Sequence, residues 1–98
     1  MRRFVIEREI PGVGTLEREQ LRDAAAKSNQ ILASLAPDIQ WVESNVAADK
    51  MFCLYLATGE SVIRRHAELS GFPASRITEV GKVIDPTTAH AAARAGQS

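Results

Sequence analysis

The sequence predicts an α+β fold of the split βαβ, or ferredoxin-like, type, in which a four-stranded antiparallel sheet carries two helices on one face. Three observations predict it. Strand-like and helix-like segments follow in the order βαββαβ, each helical segment has a clear stop, and 98 residues fit one small domain. We expect a single domain over residues 1–86 and a flexible, Ala-rich tail over 87–98.

The first part of the chain is predicted to be a strand, a glycine turn and a long helix. Residues 2–9 (RRFVIERE) are rich in strand formers and precede the turn IPGVG. Thr15 is expected to cap the helix, which runs to about Ala36 and stops at Pro37. One apolar stripe repeats at helical spacing along it, through Leu16, Leu21, Ala24, Ala25, Ser28, Ile31, Leu32 and Leu35.

The second part is predicted to hold a hairpin, a helix and a last strand. Two β-rich segments, 39–47 and 50–57, are joined by the tight turn AADK. The helix begins near Gly59 and ends at residue 71, a glycine of the kind that commonly ends helices. The last strand is expected over residues 76–85.

The hairpin register predicts which side chains share a face of the sheet. Pairing Val46 with Met51 sets Ser44 opposite Cys53. The same regular register sets Val42 opposite Tyr55. The other face then carries Trp41, Glu43, Asn45, Phe52, Leu54 and Leu56.

Neither face of this hairpin is purely polar, which indicates that both faces are covered. Helices cover one face, and the simplest cover for the other in so short a chain is a second copy, sheet on sheet. The sequence therefore predicts a homodimer resembling the dimeric α/β-barrel proteins.

His66 is the most informative candidate for a functional residue. It lies on the inward stripe of the second helix with Val62, Ile63 and Ala67. An imidazole on an apolar face is most often a packed structural residue, and it is otherwise a metal ligand or a proton-transfer group.

Three glutamates, Glu7, Glu43 and Glu79, lie within predicted strands, where carboxylates are uncommon. With His66 they are the candidate ligands of a divalent metal. Trp41, Tyr55 and Cys53 are candidate pocket-lining residues, although each is more often a packing residue.

Composition excludes several classes of protein. The formal net charge of zero argues against general nucleic-acid binding, which needs a basic surplus. Apolar runs are too short for a membrane span or a signal peptide. The single cysteine agrees with a reducing compartment. A cytoplasmic protein without a membrane or nucleic-acid partner is expected.

The sequence resembles a family of small bacterial ferredoxin-like proteins described as nickel-binding. The matching segments are FVIEREIPGVG (4–14), DIQWVESNVAADKMFCLYLA (38–57), IRRHAELSGFPASRITEV (63–80) and VIDPTTA (83–89). The resemblance implies a homodimer that binds Ni²⁺ for sequestration or homeostasis. The residues available as ligands in these segments are His66, Glu7, Glu43, Glu79 and Asp85.

Two alternatives stay open. Relatives by fold imply a cofactor-free cyclase, isomerase or monooxygenase acting on small carbonyl or aromatic compounds. In such an enzyme His66 and Glu7 would move protons in a sheet–helix cleft lined by Trp41, Tyr55, Met51 and Phe52. In a dimeric interaction module, by contrast, His66 would only be packed.

Overall fold

The computed structural model describes residues 1–91 of the chain. The elements are β1 (Arg2–Glu9), a 3-10 turn (Val13–Thr15), α1 (Arg18–Leu35), β2 (Ile39–Val46), β3 (Lys50–Ala57), α2 (Glu60–Ser70), β4 (Arg76–Val80) and α3 (Thr88–Ala91). No helix within this described part is long and apolar enough to cross a membrane.

The four strands form one antiparallel sheet in the order β2-β3-β1-β4. β1 is central and pairs with β3 on one side and β4 on the other. This order, with a helix after β1 and another after β3, is the predicted split βαβ fold. The predicted fold class is therefore confirmed.

The hydrophobic core lies between one face of the sheet and the two long helices. Alternate residues of β1 and β3 point into it, because successive side chains of a strand lie on opposite faces. Leu32 of α1 and Ile63 of α2 pack against the sheet residues. The buried strand residues are Phe4, Ile6, Ile39, Cys53, Tyr55 and Ala57.

The opposite face of the sheet is left uncovered by α1 and α2. We call it the open sheet face, and its residues alternate with those of the core. It is formed by Arg3, Val5 and Glu7 of β1, Glu43 and Asn45 of β2, Lys50, Phe52, Leu54 and Leu56 of β3, and Arg76, Thr78 and Val80 of β4. Both apolar and charged side chains therefore lie on it.

A β-bulge in β2 makes one part of the predicted register wrong. Val46 pairs with Met51 as predicted, but the register shifts between Trp41 and Glu43, so that Trp41, and not Val42, lies opposite Tyr55. An extra residue at a bulge reverses the alternation beyond it. Trp41 therefore lies on the core face, not beside Glu43 as predicted.

Two boundaries also differ from those predicted. α1 is capped by Glu17 and not by Thr15, because Glu17 and Gln20 form a reciprocal capping box. The Thr15 hydroxyl instead donates to the Gly12 carbonyl within the preceding turn. β4 ends at Val80, where its pairing with β1 ends, well before the predicted end of the strand.

The predicted second helix is confirmed, with Gly59 and Gly71 as its caps. Gly71 has a φ of 77°, a left-handed conformation that favours glycine at the end of a helix. The predicted tail begins with α3, and residues 92–98 lie outside the described residues.

Candidate functional site

A cavity of about 560 Å³ lies between the core face of the sheet and α1. This volume falls within the range of about 300–1,000 Å³ typical of small-molecule sites. Most of its wall is apolar. The strands, the turn before α1, α1 itself and the segment after α2 all contribute residues to it, among them Val13, Leu21, Ala25, Trp41, Met51 and Phe72.

Within residues 1–91, Arg8 is the one cationic side chain in the wall of this cavity, and it is 2% exposed. It lies on the core face of β1 because it follows Phe4 and Ile6 at alternate positions. Its Nη1 donates to the carbonyls of Phe72 (3.3 Å) and Pro73 (3.0 Å). The guanidinium is therefore held in place by the segment that connects α2 to β4.

Tyr55 and Ser28 lie beside Arg8 and make this part of the wall polar. Arg8 Nη2 donates to the Tyr55 hydroxyl at 3.3 Å, and the guanidinium carbon lies 5.9 Å from the centre of the tyrosine ring. Both Tyr55 and Ser28 are buried and line the cavity. Burial raises the pKa of the Tyr55 phenol, so that it stays protonated near neutral pH.

His66 is fully buried behind this polar group and does not line the cavity itself. Its Nε2 shares a hydrogen bond of 3.0 Å with the Ser28 hydroxyl, and its ring lies 5.6 Å from the Tyr55 ring between centroids. Its Nδ1 has no hydrogen-bond partner among the described residues. The predicted inward orientation of His66 is confirmed.

Burial lowers the pKa of His66 from 6.5 to about 4, and the positive charge of Arg8 acts in the same direction. The imidazole is therefore neutral at pH 7. It can pack and hydrogen-bond, but as a base it is weak, because efficient proton transfer favours a pKa near the working pH.

The four predicted metal ligands lie in different places within one chain. His66 is inside the core, whereas Glu7 and Glu43 lie on the open sheet face. Glu79 lies on β4, the edge strand on the opposite side of the sheet from β2, and forms an ion pair of 2.8 Å with Arg2. No cluster of three or more potential ligands (His, Cys, Asp or Glu) occurs among residues that the structure describes.

The predicted pocket residues, by contrast, come together. Trp41, Tyr55 and Cys53 all line the cavity, as does Met51. Phe52 does not, because it points to the open sheet face. Glu7 is likewise on that face and cannot approach His66, so the predicted Glu7–His66 pair does not form within one chain.

Arg8 was not predicted as a functional residue, although a signal for it exists. In the strand RRFVIERE, the alternation that places Phe4 and Ile6 in the core places Arg8 there too. A cation that continues an apolar face is therefore a candidate for a buried charge, although most arginine side chains are exposed.

This chain is similar to a known family in sequence and to a crystal structure in fold. The sequence model of the family described as "Nickel responsive protein SCO4226-like" matches residues 4–80. The crystal structure of SCO4226 from Streptomyces coelicolor A3(2) is 18% identical in sequence and has a TM-score of 0.70, covering 84% of this chain and 99% of that one. No curated protein matches the chain.

Proposed function

The chain belongs to the SCO4226-like family of nickel-responsive proteins, and we propose that it is a homodimer that binds Ni²⁺ for sequestration or homeostasis. The observation that carries this proposal is the family match, which extends over residues 4–80 and so covers β2, β3 and β4 completely and all but the first two residues of β1. We propose the cytoplasm as its compartment, supported by the unpaired, buried Cys53.

The open sheet face supports the proposed dimer. It exposes large apolar side chains on a sheet of four strands, with Phe52 37% exposed and Leu54 and Leu56 half-buried. Apolar area of this kind is commonly buried against a second protein surface. A two-fold dimer would bury the same face of both copies, sheet on sheet.

The same face supports a nickel site between the two copies. Glu7 and Glu43 lie on strands separated by β3, so their backbones are about 10 Å apart across the sheet. Among the described residues, one chain adds no third potential ligand to these two carboxylates. A two-fold axis duplicates each of them, and it can place a carboxylate of one copy beside a carboxylate of the other.

Two of the four candidate ligands have less support. His66 is inaccessible and already bonded to Ser28. Glu79 accepts two hydrogen bonds from Arg2, at 2.9 and 2.8 Å. Glu7, by contrast, makes only a loose ion pair of 3.9 Å with Lys50, which leaves its carboxylate freer to bind a metal. The exposed imidazole is His90 in α3. Because nickel favours imidazole nitrogen together with carboxylate oxygen, we propose Glu7, Glu43 and His90 as its ligands.

Calorimetric titration with Ni²⁺ tests this assignment on protein without a histidine tag, whose imidazoles would bind the metal. Glu7→Gln and Glu43→Gln are expected to weaken nickel binding by at least about tenfold, because each removes a charged ligand. His90→Ala is expected to weaken it as well. Glu68→Gln, at an exposed glutamate of α2, is the matched control and should leave binding unchanged.

Nickel binding that survives all three ligand variants would contradict the proposed site. Absence of saturable binding to the unmodified protein would contradict the proposed function itself.

The enzymatic alternative is less well supported. Its proton-transfer pair required Glu7 beside His66, and the sheet separates them. A His66 pKa of about 4 also makes the imidazole a weak base at neutral pH.

A further inference from the structure

We propose that the cavity between the sheet and α1 binds a small amphipathic monocarboxylate, whose carboxylate pairs with Arg8 and whose apolar body lies along Trp41. This site is distinct from the proposed nickel site, which lies on the other face of the sheet. The proposal does not depend on the metal.

The first support is the charge of Arg8. A guanidinium stays protonated inside proteins, and a buried charge without a counter-charge is costly. Among residues 1–91, no carboxylate lies within salt-bridge distance of Arg8. Its three hydrogen bonds go to neutral oxygens, those of Phe72, Pro73 and Tyr55. The site therefore presents a positive charge that an anion would neutralise.

The second support is the geometry of the remaining donors. A guanidinium has five N–H groups in a planar fork, and three hydrogen bonds leave two of them available. A carboxylate matches that fork better than a single oxygen does. The Tyr55 hydroxyl accepts from Arg8 and lies within hydrogen-bond reach of Ser28, so these two neutral hydroxyls can donate to the same anion.

The third support is the contrast between the two parts of the cavity wall. Arg8, Tyr55 and Ser28 form one buried polar group. The rest of the wall is mostly apolar, with Val13, Trp41 and Met51 among its residues. Such a site selects a ligand with one anionic group and an apolar body.

Among the wall residues that the structure describes, Glu9 is the acidic one, and it does not neutralise Arg8. It is exposed, lies at the end of β1, and makes no salt bridge with the guanidinium. Because its charge is solvated, it acts on the entering ligand more weakly than the buried cation does.

Trp41 provides a direct measurement, because it is the only tryptophan of the chain and lines the cavity. The probes are decanoate and decanol, which share an alkyl chain and differ in the charged group. Metal-free protein is titrated with each probe below its aggregation limit, in the presence of a chelator. We expect saturable quenching or a shift of Trp41 emission by decanoate, with at least about tenfold weaker binding of decanol.

Arg8→Met tests the cation. Methionine is unbranched and uncharged, so the variant removes the cation while it keeps part of the apolar stem of the arginine side chain. The variant is expected to bind decanoate and decanol within about twofold of each other. Arg3→Met, on the same strand but on the open sheet face, is the control and should preserve the preference for decanoate.

Ala25→Phe tests the cavity without changing Arg8, so the proposal stays testable if Arg8→Met does not fold. It is expected to weaken decanoate binding by at least about tenfold, because Ala25 lines the cavity. Ala26→Phe, at an exposed position of α1, should bind as the unmodified protein does.

Three results would overturn the proposal. Decanoate would fail to bind saturably, or decanol would bind as tightly as decanoate. In the third, the Arg8→Met variant would still bind decanoate more tightly than decanol. Because all titrations exclude metal, a failure of the proposed nickel site would not change any of them.

Discussion

Arg8 and His66 are large polar side chains inside a core that is otherwise mostly apolar. They differ in their protonation state at neutral pH. Arg8 keeps its charge and is held by neutral oxygens. His66 loses its charge, since burial and the nearby guanidinium both disfavour the imidazolium ion. The first therefore attracts an anion, and the second stabilises the packing of α2 through Ser28 and Tyr55.

The lowered pKa of His66 predicts a loss of stability in mild acid. The unfolded imidazole titrates near 6.5 and the folded one near 4, so between these values the unfolded state binds more protons. The stabilisation is therefore fully present above pH 6.5 and lost as the pH falls toward 4. We expect the free energy of unfolding to fall by about 2 kcal/mol from pH 7 to pH 5, measured by urea denaturation.

A His66→Asn variant is the control for this pH dependence, since its side chain does not titrate. The lowered pKa values of Glu79 and Asp85 affect stability only at more acidic pH, because both carboxyls start from values of 4.5 and 3.8. A slope between pH 5 and 7 that persists unchanged in His66→Asn would refute the assignment to His66.

The structural role of His66 predicts that His66→Ala affects stability and leaves nickel binding intact. Removing a fully buried ring leaves a void beside Tyr55 and deprives Ser28 of its partner. The expected cost is about 2–5 kcal/mol in the free energy of unfolding, measured by denaturant titration. Nickel affinity lost in a variant of unchanged stability would instead make His66 a ligand.

For individual residues, the sequence predicted which way a side chain points better than it predicted what the side chain does. The helical spacing placed His66 inward, as observed. It did not identify Arg8, because a basic residue in a strand is normally assigned to a solvated face. Whether a buried cation meets a carboxylate depends on tertiary packing, which the local pattern does not contain.

At the scale of the elements, the hairpin shows why the face of one side chain was predicted wrongly. The turn fixes the pairing from Val46 and Met51 onward, and the prediction follows it correctly as far as Glu43. The bulge at Val42 then moves Trp41 to the core face. Bulges depend on the fit of the sheet to its helices, so a regular alternation misses them.

The turn before α1 predicts a sharp difference between two glycines. A Cβ at residue 14 would lie 2.6 Å from the Ala47 carbonyl oxygen and 2.8 Å from the Ala48 Cα, whereas a Cβ at residue 81 meets no atom within 4 Å. We expect Gly14→Ala to cost about 1–3 kcal/mol, because backbone atoms must move.

Gly81→Ala is the matched control and should change stability by no more than about 0.5 kcal/mol. Thermal or urea denaturation measures both variants. Equal stability of the two variants would contradict the close packing of the turn against the β2–β3 hairpin. A hydrogen bond of 2.9 Å from the Gly14 N–H to the Ala48 carbonyl also indicates this packing.

At the scale of the whole molecule, the order of elements was sufficient to predict the fold. Two helices on one face follow from the βαββαβ order and from right-handed connections between strands. The set of metal ligands was harder to predict. Whether residues on different strands come together depends on the pairing register and on which face of the sheet each side chain occupies. Glu7 and His66 lie on opposite sides of the sheet, although both belong to elements that pack together.

The proposed dimer through the open sheet face predicts that one substitution on this face prevents dimerisation. Val5 lies on the central strand, opposite Leu54 on β3 and Thr78 on β4. Val5→Arg would bury like charges across a two-fold interface, and we expect it to weaken dimerisation by at least about hundredfold. Analytical ultracentrifugation measures the change, with Val83→Arg, at an exposed position outside the sheet, as control.

Native mass spectrometry of the tag-free protein with Ni²⁺ distinguishes a metal site between two copies from a site within one chain, since it reports assembly and bound metal together. The proposed function predicts that unmodified protein retains nickel as a dimer, and that Val5→Arg is a monomer without nickel. A Val5→Arg monomer that retains as much nickel as the unmodified protein would contradict a metal site between copies. Unmodified protein that is monomeric and free of nickel would contradict the proposed function as a whole.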